Sequence, residues 1–467
     1  MLSALPGISS ELTNLKSSLF HLLGSSHPSL DAVAKYYFQA EGKHLRPMLV
    51  LLLAQATNGM GGAAWDDLLA KERDDQRTGR GVDESLTSVE GVLNDWNPEQ
   101  MGMEGEADMI FAEPYDATAD RSGERRPGSS SSSSIKKSLA SALLGDTSTG
   151  SASSSSLAGG LDSISPILST QRRLASITEM IHVASLLHDD VIDTSPLRRG
   201  LPSAPQQFSN KLSILAGDFL LGRASVALAR LGSNEVVELL ATVIANLVEG
   251  EVMQLRASPN GSKENKPSKE AFEVYMRKTY LKTASLMAKS ARAAVILGGA
   301  GQGYGRTTRE IEEGERLKDI AYGYGRNLGI AFQVGLMALS IDGELTTDLS
   351  ELLTQLIDDM LDFLPPSPEL GKPGLGADLS LGLTTAPSLF AWQSNPSLGP
   401  LIARKFSEPG DVERARELVT QSDGLRKTRE LAERFAGEAR RGVELLPESE
   451  AREALIALTK KVVERVA

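Results

Sequence analysis

The chain contains no cysteine, which excludes disulfides, thiolate catalysis and zinc-thiolate sites and leaves the compartment open. Its five histidines, His21, His27, His44, His182 and His188, show no metal-ligand spacing. Unbroken apolar runs are short. The longest, around Met48 to Ala54, falls far below the roughly 18 residues that a membrane span needs, so at most peripheral membrane contact is expected. Met1 to Leu30 carries no Arg and no signal-peptide apolar region, and no targeting segment is evident there. Basic residues are outnumbered, 49 against 61 acidic, for a formal charge of −12, so no nucleic acid is expected as a partner. Any phosphate site must be local. Strand-like alternation is scarce as well, and the 467 residues, 41% hydrophobic, are expected to form an all-α fold with a substantial core.

What is present is acid in clusters. In Ser185-Leu-Leu-His-Asp-Asp-Val-Ile-Asp-Thr-Ser-Pro-Leu-Arg-Arg-Gly200, helical spacing gathers Asp189, Asp190 and Asp193 along one stripe just beyond an apolar run. Like charges so close repel, and a positive partner is expected between them. Hard oxygen ligands without cysteine select Mg²⁺, which takes one or two carboxylates and completes its shell with phosphate oxygens. Arg198 and Arg199, after the Pro196 stop, offer planar forks for the oxygens that the metal leaves. Taken alone, the pattern also fits a solvated acidic helix end followed by a basic turn. A second copy argues against that: Leu356-Ile-Asp-Asp-Met-Leu-Asp-Phe363 repeats the spacing with Asp358, Asp359 and Asp362. Two such helices face to face would cage a polyanion.

Taken in order, residues 1–57 read as helices. Leu12, Leu15, Leu19 and Leu22 recur at helical spacing, and a break falls at Ser25 to Pro28. Gly42-Lys-His-Leu-Arg-Pro47 places Lys43 and Arg46 at the start of a helix buried nearly all round. Cations there oppose the helix dipole unless an anion binds between them. Residues 58–165 change character, with a six-serine run at Ser129 to Ser134, and read as a mostly disordered, low-complexity insertion. Order resumes in 166–467. Arg172 to Asp193 forms one long helix carrying His182, Ala184 and Ser185 toward the acid cluster. Ile244 to Leu255 forms another, with Glu and Gln of Glu249-Gly-Glu-Val-Met-Gln254 on one face. Lys282 and Thr283 stand on a helix of small residues, where a lysine needs an anionic partner.

Together these motifs resemble the trans-isoprenyl diphosphate synthases, and more closely their fungal mitochondrial long-chain members. The resemblance implies a helical bundle around a central cavity and an enzyme that condenses isopentenyl diphosphate repeatedly onto an allylic diphosphate, farnesyl or geranylgeranyl, for the ubiquinone side chain. It assigns Mg²⁺ to Asp189, Asp193 and Asp358, and isopentenyl diphosphate to Lys43, Arg46, His182 and Arg199. The allylic diphosphate falls to Lys282 and Thr283, with Arg198, Gln333 and Gln355 as further substrate contacts. Ala184 and Ser185, one turn before Asp189, stand where the short-chain farnesyl synthases carry aromatics. Small residues there leave the path of a growing chain open, so a long product is expected, with a geranylgeranyl synthase as the shorter alternative. A homodimer or heteromer and a mitochondrial location are also implied.

Two departures stand out. Tyr324 to Gln333 should run straight into Leu356-Ile-Asp-Asp, but the 22 residues Val334 to Gln355 intervene. A continuous helix would put Gln333 about 37 Å from Asp358, so both cannot serve one site without a fold-back. Removing the segment restores Phe-Gln-Leu-Ile-Asp-Asp, which fits a translated intron; a surface loop is the alternative. Leu383 replaces the lysine of the family's Gly-Lys-x-Thr-Leu-Pro motif, leaving Lys372 as a substitute. Among rival functions, a terpene cyclase usually lacks the second acid motif and the Gly-Lys-x-x-Arg-Pro anchor. A silent partner subunit would normally have lost an aspartate from one cluster.

Overall fold

Hydrophobic patterning becomes a set of helices packed around a few that are buried on nearly every side. The computed structural model describes residues 6–23, 27–39, 44–60, 63–78, 167–198, 201–256, 267–300, 307–334 and 384–464. In chain order these contain α1 (Pro6–Leu22), α2 (Pro28–Gln39), α3 (Leu45–Thr57), α4 (Ala63–Thr78) and α5 (Ser169–Ile192). A ribbon of β1 (Leu197–Arg198) and β2 (Leu201–Pro202) follows, then α6 (Ala204–Gln207), α7 (Asn210–Arg230), α8 (Asn234–Arg256) and α9 (Lys269–Thr279). A π-helical turn, Tyr280–Ala284, joins α9 to α10 (Ser285–Leu297), and α11 (Thr308–Val334) comes next. The C-terminal part holds α12 (Ala386–Ser394), α13 (Leu398–Ala403), α14 (Asp411–Thr420), α15 (Gly424–Val443) and α16 (Glu450–Glu464). All belong to one unit assembled from Met1–Ser88 and Ser165–Ala467. The class is all-α; the ribbon, with Leu197 opposite Pro202 and Arg198 opposite Leu201, is the only strand pairing among the described residues.

The chain breaks between α1 and α2 where Pro28 can start a helix without losing a needed donor. In α3, Met48 to Ala54 are all buried, and α5 is buried from Arg173 to Ala184. α5 lies against α3, α7 and α10, and α11 packs against both α10 and α15. One polar knot aligns three of these helices: Gln171 Nε2 donates to Asn58 Oδ1 (2.8 Å) and to Ala294 O (2.9 Å), and Gln171 Oε1 accepts from the Leu168 N–H (3.0 Å). Such groups, buried without partners, would each cost about 1–3 kcal/mol. On α11, Gly325 and Gly329 are spaced so that the π-turn and α10 can lie against bare backbone: a Cβ at Gly329 would sit 2.7 Å from Ala284 Cα. A second apolar cluster surrounds the buried Trp392 and joins α12 to α15.

α4 lies within 58–165, the stretch read as a mostly disordered insertion; there Ala64 and Trp65 are buried and Glu72 accepts from Ser169 Oγ (2.7 Å) at the start of α5. Charge scattered along 66–78 hides this anchor in the sequence. α7 is by length and composition able to cross a membrane, although Asp218 and Arg223 break its apolar runs. Its Ala216, Leu220, Ala224 and Ala227 are buried and it packs on α5, as a core helix does.

Candidate active site

The acid end of α5 meets α8 and the π-turn. Asp189 and Asp193, four residues apart, share a face there, and Asp193 caps the helix with its N–H on Asp189 O (2.8 Å). The carboxyls of Asp189 and Glu251, from α8, abut. Lys282 supplies the counter-charge: its ammonium pairs with Glu251 and donates to Gln254 Oε1 (3.0 Å). Burial, partly offset by Lys282 and reinforced by Glu251 and Asp193, pushes the Asp189 carboxyl up to about 7. Asp193 is raised too, chiefly by burial. Burial alone would lower Lys282, but Asp189, Glu251 and Asp193 outweigh it and hold the ammonium above its ordinary value.

The π-turn aims these side chains. One extra residue per turn rotates the helix locally, and such bulges concentrate at functional sites. Lys282 thereby faces Glu251, while Thr283 Oγ1 donates to Gln333 Oε1 (2.8 Å) on α11. Gly250 makes room: a Cβ there would come within 2.7 Å of Lys282 Cγ.

A second polar group lies two to three turns back along α5. Glu179 is buried, with His44 Nδ1 at 3.3 Å from Oε1 and with Arg46 and His182 in electrostatic range. Burial pushes Glu179 up, yet the hydrogen bond from His44 and the charges of His182, His44 and Arg46 outweigh it and hold the carboxyl at about 2. A permanent anion therefore sits beneath the residues at the start of α3. His44 itself adopts φ 42°, a left-handed conformation uncommon for a non-glycine residue and typical of constrained sites.

Asp190 departs from the expectation. Consecutive helical residues point about 100° apart, so it turns away from Asp189 and Asp193 into the core and is 0% exposed. There it accepts from Arg198 Nε (3.0 Å) and Nη2 and from the Tyr37 hydroxyl. The three aspartates do not share one stripe, and the Arg198 fork grips Asp190.

The structure thus brings Asp189 and Asp193 to Lys282, Thr283 to Gln333, and both Arg46 and His182 within electrostatic range of Glu179. Ala184 is fully enclosed, whereas Ser185 is half-buried and donates to His182 O (2.8 Å). Lys43, Arg199, Gln355, Asp358, Asp359 and Asp362 lie outside the described residues. Sequence reasoning put Glu251 and Gln254 on one helical face without giving them a role, and gave none to Glu179, His44 or Tyr37. The first two carried a signal, an acid and an amide three apart on one helical face, as did Glu179, a charge inside an apolar helix three residues before His182.

The oxygens present suit a hard dication. Glu251 Oε2 is buried without a hydrogen-bond partner beside the raised carboxyl of Asp189, and oxygen-only donors match Mg²⁺. Among the described residues no set of three or more ligands closes a cage, so the remaining donors would come from elsewhere.

The sequence matches the Polyprenyl synthetase family over residues 152–335. It is 43% identical over 458 residues to the "Probable hexaprenyl pyrophosphate synthase, mitochondrial" of Neurospora crassa, covering 98% of this chain and 80% of that protein. To the "Hexaprenyl pyrophosphate synthase, mitochondrial" of Saccharomyces cerevisiae it is 39% identical over 496 residues, covering 98% and 89%. The crystal structure of a decaprenyl diphosphate synthase from Rhodobacter capsulatus shares the fold, with a TM-score of 0.60 at 22% identity over 99% of this chain and 98% of that one.

Proposed function

This chain belongs to the polyprenyl synthetase family, and from that premise we propose that it is a mitochondrial trans-prenyltransferase that makes a long-chain all-trans polyprenyl diphosphate for the ubiquinone side chain. The observation that carries the reading is the convergence of Asp189, Glu251 and Lys282 from three elements at one end of α5.

Arg46 and His182, with Lys43 and Arg199, hold the diphosphate of isopentenyl diphosphate, and the Glu179 carboxylate offers Arg46 and His182 a counter-charge. Lys282 and Thr283 face the allylic diphosphate, with Gln333 fixing the threonine. Asp189, Asp193 and Asp358 are the residues for Mg²⁺, with Asp359 and Asp362 completing the second cluster. Bound there, Mg²⁺ supplies Lewis-acid neutralisation of the leaving diphosphate. The allylic C–O bond breaks, the isopentenyl double bond attacks the resulting cation, and a proton leaves toward the departed diphosphate. Held positions supply much of the rate, and apolar walls keep out water that would quench the cation. Ser185, on a small-residue stretch of α5, leaves the growing chain a path.

An apolar stripe on α8, Val248, Val252 and Leu255, is exposed at 60%, 40% and 62%. Its spacing along one helical face suits a second copy or a related subunit, the homodimer or heteromer that the family implies.

Incorporation of radiolabelled isopentenyl diphosphate with farnesyl diphosphate and Mg²⁺, followed by product sizing, tests the reading. Products of about six or more isoprene units are expected from the open path; the absence of elongation would overturn it. A catalytically silent subunit is the second reading, favoured by the end of the family match at residue 335, where Val334 to Gln355 begins to interrupt the second motif. The same assay separates the two.

A further inference from the structure

Two consecutive tyrosines on α2 reach the ribbon that follows the first acid cluster, more than 150 residues away in sequence. The Tyr37 hydroxyl donates to Asp190 Oδ2 and accepts from the Ala204 N–H (2.8 Å), so one oxygen joins the aspartate before the ribbon to the backbone just after it. Arg198, in β1, closes the arrangement with Nε (3.0 Å) and Nη2 on Asp190 Oδ1. Tyr36 supports it from the side, donating to Pro202 O (2.9 Å) and standing edge-on to Phe208 with centroids 5.3 Å apart.

A buried ion pair gives little net stability, because desolvating both charges offsets their attraction. What it gives here is geometry. Asp190 is 0% exposed, its acceptors are taken by Tyr37 and Arg198, and the ribbon that carries Arg198, with Arg199 next in sequence, is pinned at both ends. We propose that Tyr37 is a positioning residue that acts through Asp190 and Arg198 to fix the arginine ribbon against the diphosphate site. The inference rests on the reading that these arginines meet a diphosphate.

Tyr37→Phe removes the hydroxyl and keeps the ring. The expected result is a KM for isopentenyl diphosphate raised about tenfold, the scale of one lost hydrogen bond to a charged group. The kcat should stay within about threefold, while the thermal midpoint should fall, because the buried Asp190 carboxylate and the Ala204 N–H both lose a partner. In an Arg198→Ala background the same substitution should add less than about twofold, since coupled residues do not act additively. Asp190→Asn, which keeps one acceptor, should fall between wild type and Asp190→Ala in KM. A Tyr37→Phe enzyme with KM within about twofold of wild type, or an equal loss with and without Arg198, would overturn the proposal. If Tyr37→Phe folds poorly, the Asp190 pair decides: equal KM for Asn and Ala would overturn it. Loss of elongation in the wild-type chain would instead defeat the functional reading and this inference with it.

Discussion

Thr283 donates its hydroxyl proton to Gln333 Oε1 across 2.8 Å, although 50 residues separate the two. The bond ties the π-turn that carries Lys282 to the last turn of α11. It places Gln333 beside the Lys-Thr pair; Gln355 lies outside the described residues. The 22-residue Val334 to Gln355 segment therefore starts one residue beyond a fixed point in the site.

Thr283→Ala and Gln333→Ala are each expected to reduce turnover about tenfold, the cost of one buried hydrogen bond realised in the bound complex. Because both remove the same bond, the double variant should be little worse than the poorer single one. Steady-state kinetics on the three variants check this; multiplying losses would mean that the residues act separately.

Deleting Val334 to Gln355 should give a chain at least as active as the full-length one, because Asp358 then follows Gln333 by three residues, within one helical turn. An inactive, folded deletion variant would show that the segment belongs to the site.

Gly250→Ala places a methyl 2.7 Å from Lys282 Cγ, so the lysine stem must move off α8. Turnover should fall about tenfold while stability changes little, since alanine's helix preference of about 1 kcal/mol offsets the displacement. Comparison of kcat with the urea midpoint tests it, and wild-type kcat would remove Lys282 from its assigned place.

The two polar groups of α5 differ in legibility. Aspartates at i and i+4, Lys282 on a small-residue helix and Arg46 at a helix start could be read because local spacing alone places them. The role of Asp190 could not, because it depends on Tyr37 and Arg198 arriving from other elements. Glu251 was half-legible: its face could be read from helical spacing, but only tertiary packing brings its carboxyl against Asp189. α4 was hidden for a similar reason, since Trp65 and Glu72 matter through partners far away in sequence.

Glu179 provides a pH test. Its folded value of about 2 lies below its ordinary 4.5, so its contribution to stability is fully present above about pH 4.5 and is lost as pH falls toward 2. The urea midpoint of the wild-type protein should therefore drop more steeply across that window than that of Glu179→Gln. Parallel curves would mean that His44, His182 and Arg46 do not stabilise this carboxylate.

Ser185→Phe should shorten the product by filling the half-buried space one turn before Asp189, as read by chromatography of the dephosphorylated prenols. An unchanged chain length would place the product path elsewhere.

The central claim is that both acid clusters serve one metal-diphosphate site. Titrating the protein with Mn²⁺ in the presence of inorganic pyrophosphate, read by electron paramagnetic resonance, tests it most directly. Asp189→Ala and Asp358→Ala are each expected to weaken binding by at least about tenfold. Wild-type affinity in Asp358→Ala, alongside lost affinity in Asp189→Ala, would place the second cluster away from the site and contradict the account.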